Sequence, residues 1–266
     1  MNLSGKTVMI TGCGSGIGRH LTQTFYQKGA NIVVTDIDES KLDFTSNWDK
    51  NRFLAYKLDV TSKNQWKDVI GKVRKKWKHI DILVNNAGIA DAEFFVDIKD
   101  ENHLDKPIDV NLKGTVYGVY YTLPLLKEGS VIINISSLAG VAPIPGISLY
   151  SASKFGVRGF TLAIAPELEK HGIFVYNVSP DAVLTPLLEK VKRYSASNMI
   201  FSGAILQCQD IEKAIIKLLN KPRRREILLP WWRGFLAKFG NCFPYLASPL
   251  IPLLTKKGDK KRKQFQ

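Results

Sequence analysis

The sequence predicts one α/β domain built on an open, doubly wound parallel sheet, with a C-terminal extension that is apolar and then basic. Three observations carry that prediction. Short apolar runs alternate with helical segments from residue 6 to about residue 229, the pattern of successive strand-helix-strand units. The first run ends in a glycine-rich turn that opens directly into a helix. The run Ser130 to Ile135 (SVIINI) is apolar at nearly every position, as a central parallel strand covered on both faces should be.

Taken in order, Lys6 to Thr11 (KTVMIT) is the first strand, Gly12-Cys13-Gly14-Ser15-Gly16-Ile17-Gly18 the turn, and Arg19 to Lys28 a helix closed by Gly29. Glycines let the backbone turn tightly and approach a pyrophosphate, whose charge is met by the free N–H groups of a helix N-terminus. The spacing is G-x3-G-x-G rather than the G-x-G-x-x-G fingerprint, and a purely structural corner is the competing reading. Asn31 to Thr35 is the second strand, with Asp36 at its end, 18 residues after Gly18. A carboxylate there accepts hydrogen bonds from an adenosine ribose and repels a 2′-phosphate. Capping of the helix that begins near Asp38 or Glu39 is the alternative. No Lys or Arg adjoins Asp36, and Ser15 rather than a basic residue precedes Gly16, so NAD is favoured over NADP.

Phe53 to Leu58 is the third strand, and Asp59-Val60 after it can meet an adenine amino group or cap the helix beginning near Thr61. Lys63 to Lys78 is amphipathic, with Trp66, Val69, Ile70, Val73 and Trp77 as core residues. Ile80 to Val84 is the fourth strand and runs into Asn85-Asn86-Ala87-Gly88, small and amide residues suited to packing beneath a cofactor. Residues 103 to 127 read as one long helix with Asn111 among apolar neighbours. Ser136-Ser137 end the fifth strand, and the apolar loop Leu138 to Leu149 leads to Tyr150-Ser151-Ala152-Ser153-Lys154. On a helix that pentapeptide puts a phenol and an ammonium on one face. A cation beside Tyr150 would pull its pKa down from about 10 toward the range where a general acid/base works. Such a pair is, taken alone, a cheap coincidence. The helix continues to Lys170, a strand follows at Ile173 to Val178, and residues 187 to 206 read as a mobile substrate lid. Asp210 to Leu219 is a helix and Glu226 to Leu229 a seventh strand.

Composition narrows the function classes. The three cysteines (Cys13, Cys208, Cys242) form no disulfide framework, and the four histidines lack metal-ligand spacing, so no metal is expected. The N-terminus lacks a signal-peptide apolar region, which gives a cytoplasmic expectation with the mature chain starting at Met1. Of the net charge of +14, residues 221 to 266 carry +10, from twelve Lys/Arg against Glu226 and Asp259. Basicity therefore belongs to the C-terminal segment, and the groove-reading or base-stacking elements of a nucleic-acid binder are missing.

Thr11-Gly12-x3-Gly16-Ile17-Gly18, Asn85-Asn86-Ala87-Gly88, Asn111, Ser137 and Tyr150-x3-Lys154 together resemble the short-chain dehydrogenase/reductase family over residues 5 to about 230. The resemblance implies a Rossmann-type fold and an NAD-dependent hydride transfer between nicotinamide and a secondary alcohol or ketone, lipophilic in view of the apolar 138 to 149 loop. It implies four catalytic roles. Ser137 orients the substrate oxygen, Tyr150 exchanges the proton, Lys154 binds the nicotinamide ribose and depresses the Tyr150 pKa, and Asn111 holds a water leading to Lys154. Cofactor contacts are implied for Gly12, Ser15, Gly16, Ile17, Gly18, Asp36, Asp59, Val60, Asn85, Ala87, Gly88, Tyr150, Lys154, Pro180, Val183 and Thr185. A homodimer or homotetramer is expected, with the helix after Tyr150 at the interface. Two departures stand out. Asp181 occupies the position after Pro180 where the family usually has Gly, and Pro166 should kink or interrupt the helix. The rival readings are an NADP-dependent carbonyl reductase and a non-catalytic, NAD-binding protein at a membrane surface.

The domain reading is residues 1–230 as the nucleotide-binding and catalytic domain, 231–254 as an apolar aromatic extension and 255–266 as a disordered basic tail. The extension is too interrupted by Pro and Gly for a membrane span. Peripheral contact of residues 231–263 with an anionic membrane is one reading, and packing on the domain or across a subunit interface is the other.

Overall fold

The computed structural model describes residues 2–220 and 225–264. Met1 and three of the basic residues counted above, Lys221, Arg223 and Arg224, lie outside the described residues. Among the described residues, seven parallel strands form one sheet: β1 Thr7–Thr11, β2 Asn31–Asp36, β3 Phe53–Lys57, β4 Ile82–Asn85, β5 Val131–Ile135, β6 Phe174–Pro180 and β7 Glu226–Leu229. Their order is β3-β2-β1-β4-β5-β6-β7. Ile10 is level with Val34 and Val84, and Ile135 with Val178, so the carboxyl ends of the strands rise together along one edge. The winding reverses between β1 and β4. That is the switch point at which an open parallel sheet leaves a crevice.

Helices cover both faces: α1 Gly16–Gln27, α2 Lys63–Trp77, α3 Asn102–Pro107, α4 Gly114–Thr122, α5 Ser148–Glu169, α6 Pro186–Val191 and α7 Cys208–Asn220. The alternation of side chains along a strand assigns Val8 and Ile10 of β1 to the layer of α1 and α7, where Leu21, Phe25, Ile211 and Ile215 are buried. Met9 points the other way, toward Trp66, Val69, Ile70 and Val73 of α2 and Val119 of α4. With both faces covered, every residue of β1 and β5 is buried.

Four local expectations change. Residues 102–125 are not one helix: α3 gives way to a π-helical turn, Ile108–Lys113, before α4, and a 3-10 turn at Leu123–Leu125 ends the segment. Pro107 lacks the N–H that a regular α-turn would use at this junction, and the widened turn buries Asn111 completely. By contrast α5 runs unbroken from Ser148 to Glu169 through Pro166. Pro166 itself lies on the exposed side of the helix. Residues 187 to 206, read as a lid segment without helical periodicity, instead form α6 and a 3-10 segment, Ser195–Ser202. Leu188, Val191, Ala196 and Phe201 of this region pack on Ala90, Ala139 and Ile147 as a third apolar cluster.

The fourth change is the tail. After α8 (Trp231–Cys242) and the short α9 (Pro244–Ala247), residues 250 to 264 form a helix, α10, rather than a disordered tail. Long-range docking explains the order. Arg262 is buried, donating to Asn198 Oδ1 at 2.6 Å and to the Lys192 carbonyl at 2.9 Å, and Lys261 donates to the Gly203 carbonyl at 3.0 Å. A methyl at Gly258 would stand 1.8 Å from the Asn198 carbonyl oxygen, so only glycine permits the approach. No helix among the described residues is long and apolar enough to cross a membrane.

Candidate active site

The crevice at the switch point is a cavity of ≈ 360 Å³ between the ends of β1, β2, β4, β5 and β6 and the α6 region. At one end lies the glycine turn. Gly12 has φ +69, and a Cβ there would stand 2.8 Å from Ala87 Cα; a Cβ on Gly18 would stand 2.1 Å from the Gly12 carbonyl oxygen. Glycine is therefore required for the turn to close under the cavity. Asn86 secures it, donating through Nδ2 to the Thr11 and Gly12 carbonyls at 3.0 Å each. Helix α1 starts at Gly16 with no side chain capping it and no acidic residue in its first turn. Its N-terminus thus keeps free N–H groups and an uncompensated positive end beside Ser15, Gly16 and Ile17, which line the cavity. This cradle fits the pyrophosphate of a dinucleotide.

Asp36 lines the same end from the tip of β2. Its carboxylate is fixed, with Oδ2 accepting from the Gly14 N–H at 2.8 Å and Oδ1 from the Asp38 N–H at 3.1 Å. Asp38, not Asp36, caps the following 3-10 turn. Asp59 and Val60 line the cavity too, while the Asp59 carboxylate accepts from the Thr61 N–H at 2.9 Å and its hydroxyl at 2.7 Å. Asp59 thus lies two residues past the end of β3 at the cavity wall and bonds the turn leading to α2, whose N-cap is Ser62.

Toward the other end, β5 and α5 bring Ser137, Tyr150 and Lys154 to one part of the cavity. The polar bonds between them explain the placement. Ser136 Oγ donates to the Lys154 carbonyl at 2.9 Å, and Lys154 Nζ donates to the Ile135 carbonyl at 2.9 Å. Farther along, Asn134 Nδ2 donates to Thr161 Oγ1 at 2.9 Å, so α5 is tied to β5 at two levels. Ser137 Oγ accepts from the Ala139 N–H at 3.1 Å, which starts the chain turning away from the strand.

Burial governs the titration of this set. Lys154 is only 4% exposed, and the loss of water lowers its pKa to about 8. The Tyr150 phenol is pushed up from its ordinary value by burial, with the Ser137 hydroxyl pulling the other way. The net direction is opposite to the expected one, because burial outweighs the lowering expected of Lys154. Lys154 Nζ is 5.7 Å from the centre of the Tyr150 ring, and at that separation the cost of desolvating a phenolate wins. Tyr150 is therefore a neutral phenol at neutral pH, able to donate a proton.

Asn111 does not line the cavity; it sits behind Gly88. A Cβ on Gly88 would be 3.1 Å from Asn111 Oδ1 and 3.4 Å from Lys154 Nζ, so the two side chains approach one another there. The Asn111 amide is engaged: Oδ1 accepts from the Ile89 N–H at 2.8 Å, and Nδ2 donates to the Ile89 carbonyl at 3.0 Å and to Ser153 Oγ at 2.9 Å. It clamps the strand exit after β4 to α5.

The remaining expected contacts divide. Gly12, Ala87, Gly88, Pro180, Val183 and Thr185 line the cavity, whereas Gly18 and Asn85 do not. Gly18 supports the turn from behind. Asn85 is buried, bonding Asn134 Oδ1 at 2.8 Å, and its neighbour Asn86 lines the cavity instead. The apolar wall comes from the 138 to 149 loop (Ile144, Ile147) and the 187 to 206 segment (Leu187, Leu188, Ile200), both read as facing substrate, and from Ile89, which the sequence reading missed. Asp181, at the cavity edge, has a partner no local pattern announces: Arg233 of α8, with Nε 2.6 Å from Oδ2. The contact is an ion pair whose N–H is poorly aligned for a hydrogen bond. Burial raises the Asp181 pKa while Arg233 acts to lower it.

The sequence model of the short chain dehydrogenases matches residues 6–195. Among similar proteins is a 3-oxoacyl-[acyl-carrier-protein] reductase, FabG, of Thermotoga maritima, 37% identical, with the match covering 83% of this chain and 92% of that protein. The rat 15-hydroxyprostaglandin dehydrogenase [NAD(+)] is 31% identical, covering 82% of this chain and 81% of its own. Among solved structures, a 3-ketoacyl-(acyl-carrier-protein) reductase from Brucella melitensis complexed with NADH superimposes with a TM-score of 0.75 at 28% identity, over 85% of this chain and 96% of that one. With its Rossmann-type sheet, glycine cradle and clustered Ser137, Tyr150 and Lys154, the chain belongs to the short-chain dehydrogenase/reductase family.

Proposed function

We propose that this oxidoreductase moves a hydride between NAD and a lipophilic secondary alcohol or the corresponding ketone. The observation that carries the reading is the convergence of Ser137, Tyr150 and Lys154 in one cavity with an uncapped helix N-terminus at its other end. A bound nicotinamide supplies the hydride donor and acceptor. The chain's own groups do the rest. In the reductive direction Tyr150 gives its hydroxyl proton to the oxygen of the carbonyl as that carbon gains the hydride; in the oxidative direction the proton returns. Ser137 holds the same oxygen and fixes the reacting carbon, while Lys154 would hold the nicotinamide ribose and supply the charge that steadies a transient phenolate. The role of Asn111 is that of a positioning residue, because its amide holds the Ile89 backbone and Ser153 beside Lys154.

NAD is favoured by Asp36. Its carboxylate is held by two backbone N–H groups at the cavity wall, and the nearby Lys41 ammonium is paired with Asp38 at 3.4 Å. A 2′-phosphate would therefore meet fixed negative charge. The Brucella relative solved with NADH and the rat enzyme named for NAD(+) are in keeping with this. The apolar wall from Ile89 to Ile200 leaves few polar groups for a hydrophilic substrate, which supports a lipophilic alcohol or ketone. The unbroken α5 keeps its outer face available to a second copy, so we take the assembly to be a homodimer or homotetramer in a reducing cytoplasm, where three free cysteines are at home.

The deciding experiment follows NADH absorbance across a panel of apolar secondary alcohols and ketones with wild type and Tyr150→Phe. Removal of the acid/base group should lower kcat by about 100- to 10,000-fold with NADH binding retained. Turnover that survives the substitution would refute the assignment.

A further inference from the structure

The extension is docked and yet leaves an apolar surface open. Helix α8 is pinned by Arg233 to Asp181 and by Lys238 to Glu226 of β7 at 2.5 Å, and α10 by Arg262 to Asn198 and the Lys192 carbonyl. On its outer side, Trp231 (74% exposed), Phe235 (63%), Leu236 (57%), Phe239 (48%), Tyr245 (91%) and Leu253 (65%) face solvent. Ten of the twenty exposed large apolar side chains among the described residues lie between Trp231 and Leu253. Apolar residues collected this densely mark an interaction face rather than ordinary surface. The next turn and a half of α10 adds Lys256, Lys257 and Lys260, all exposed.

We propose that α8, α9 and the first turns of α10 dock on an anionic lipid bilayer, lying in its interface without crossing it. Charge decides between this occupant and a second copy of the chain. An isologous contact through the face would bring each lysine cluster toward its own image, whereas a bilayer bearing acidic headgroups meets both the lysines and the apolar side chains. The order of residues fits: tryptophans and a tyrosine suited to the headgroup level, apolar side chains beside them, then lysines. The rigid attachment of α8 and α10 to the domain fixes which face of the enzyme meets the lipid. The proposal does not depend on the identity of the substrate.

Flotation of the full-length protein with vesicles of phosphatidylcholine and phosphatidylserine, against vesicles of phosphatidylcholine alone, tests it. Wild type should float with the mixed vesicles, and release should follow when salt is raised from about 0.1 M to about 1 M, which shortens the screening length from about 10 Å to about 3 Å. Reversing three charges with Lys256→Glu, Lys257→Glu and Lys260→Glu should weaken binding to mixed vesicles about 100-fold or more, at about fivefold per lysine lost. Phe235→Ser with Phe239→Ser should abolish flotation while NADH binding and melting temperature stay at wild-type values. Failure of wild type to float with mixed vesicles, or equal flotation of the charge-reversed variant, overturns the proposal. Loss of an oligomer in sedimentation of the Phe235→Ser, Phe239→Ser variant, without lipid binding by wild type, would assign the face to a second copy instead.

Discussion

Arg233→Leu is the sharpest probe of how the extension serves the catalytic domain. The Asp181 side chain is 8% exposed and that of Arg233 is 21% exposed, with Nε 2.6 Å from Oδ2. Removing one partner of a buried pair leaves the other charge uncompensated, at about 3–5 kcal/mol. The partial exposure of Arg233 places this pair near the lower figure. For a chain of this size about 3 kcal/mol corresponds to a melting temperature lower by about 6–12 °C. The loss must also depend on pH. Burial already holds the Asp181 pKa above its ordinary value, so the folded protein takes up this proton more readily than the unfolded chain, and the group favours folding at low pH and opposes it as pH rises through the two pKa values. Without Arg233, which acts to lower it, the folded pKa climbs further. The variant can then protonate Asp181 at pH 5 and recover part of its deficit, which it cannot do at pH 8. Melting followed by circular dichroism at both pH values measures the effect. Asp181→Leu combined with Arg233→Leu should recover most of the stability, because no unpaired charge remains. A single variant melting within about 1 °C of wild type at pH 8, where about 3 kcal/mol is expected, would refute the reasoning. So would an equal loss at both pH values.

Asp36→Ala should weaken NADH binding about 10-fold or more, through the charge-assisted bonds lost from the cradle, and improve NADPH binding relative to it. Dissociation constants from nicotinamide fluorescence measure both, and an unchanged preference for the unphosphorylated cofactor would defeat the Asp36 argument. Lys154→Met should abolish turnover yet raise the melting temperature at pH 7. The folded pKa of Lys154 is about 8, below the ordinary 10.5, so wild type gains stability as pH rises through that window and the advantage of the variant shrinks to nothing near its upper end. A difference between the two proteins that stays constant from pH 7 to about pH 10.5 would contradict the lowered Lys154 value.

What was legible in the sequence was local. Strand runs such as SVIINI, the glycines of the turn and the spacing from Ser137 to Lys154 are properties of neighbouring residues, and the sheet and the cavity-lining set follow from them. The misreadings all involve partners distant in sequence. The π-helical turn at Asn111 is held by the backbone of Ile89, 22 residues earlier, so helical periodicity alone could not announce it. The direction of the Tyr150 shift depends on how far the surrounding walls exclude water, and their packing is a tertiary property. The bond lost at Pro166 does not break α5, in which Pro166 itself is exposed.

The extension shows the same principle at larger scale. Composition offered two readings for residues 231–263, packing on the domain or contact with a membrane, and treated them as alternatives. The structure shows these helices packed on the domain along one side and leaves apolar side chains exposed on the other. Arg233 and Arg262 look inward and bind a carboxylate or carbonyls of the catalytic domain, Lys238 reaches Glu226 from the flank, and Trp231, Phe235 and Phe239 look outward. Asp181 makes the inward side indispensable: a carboxylate at the cavity edge, in a position where the family usually has glycine, needs a cation that nothing in its own loop supplies. The helix that provides Arg233 thereby becomes part of the catalytic domain, and the wall of the cavity at Ile200 is held by α10 through Asn198. Surface substitutions that leave Arg233 and Arg262 in place are therefore the way to separate the extension's attachment to the fold from its outward contacts.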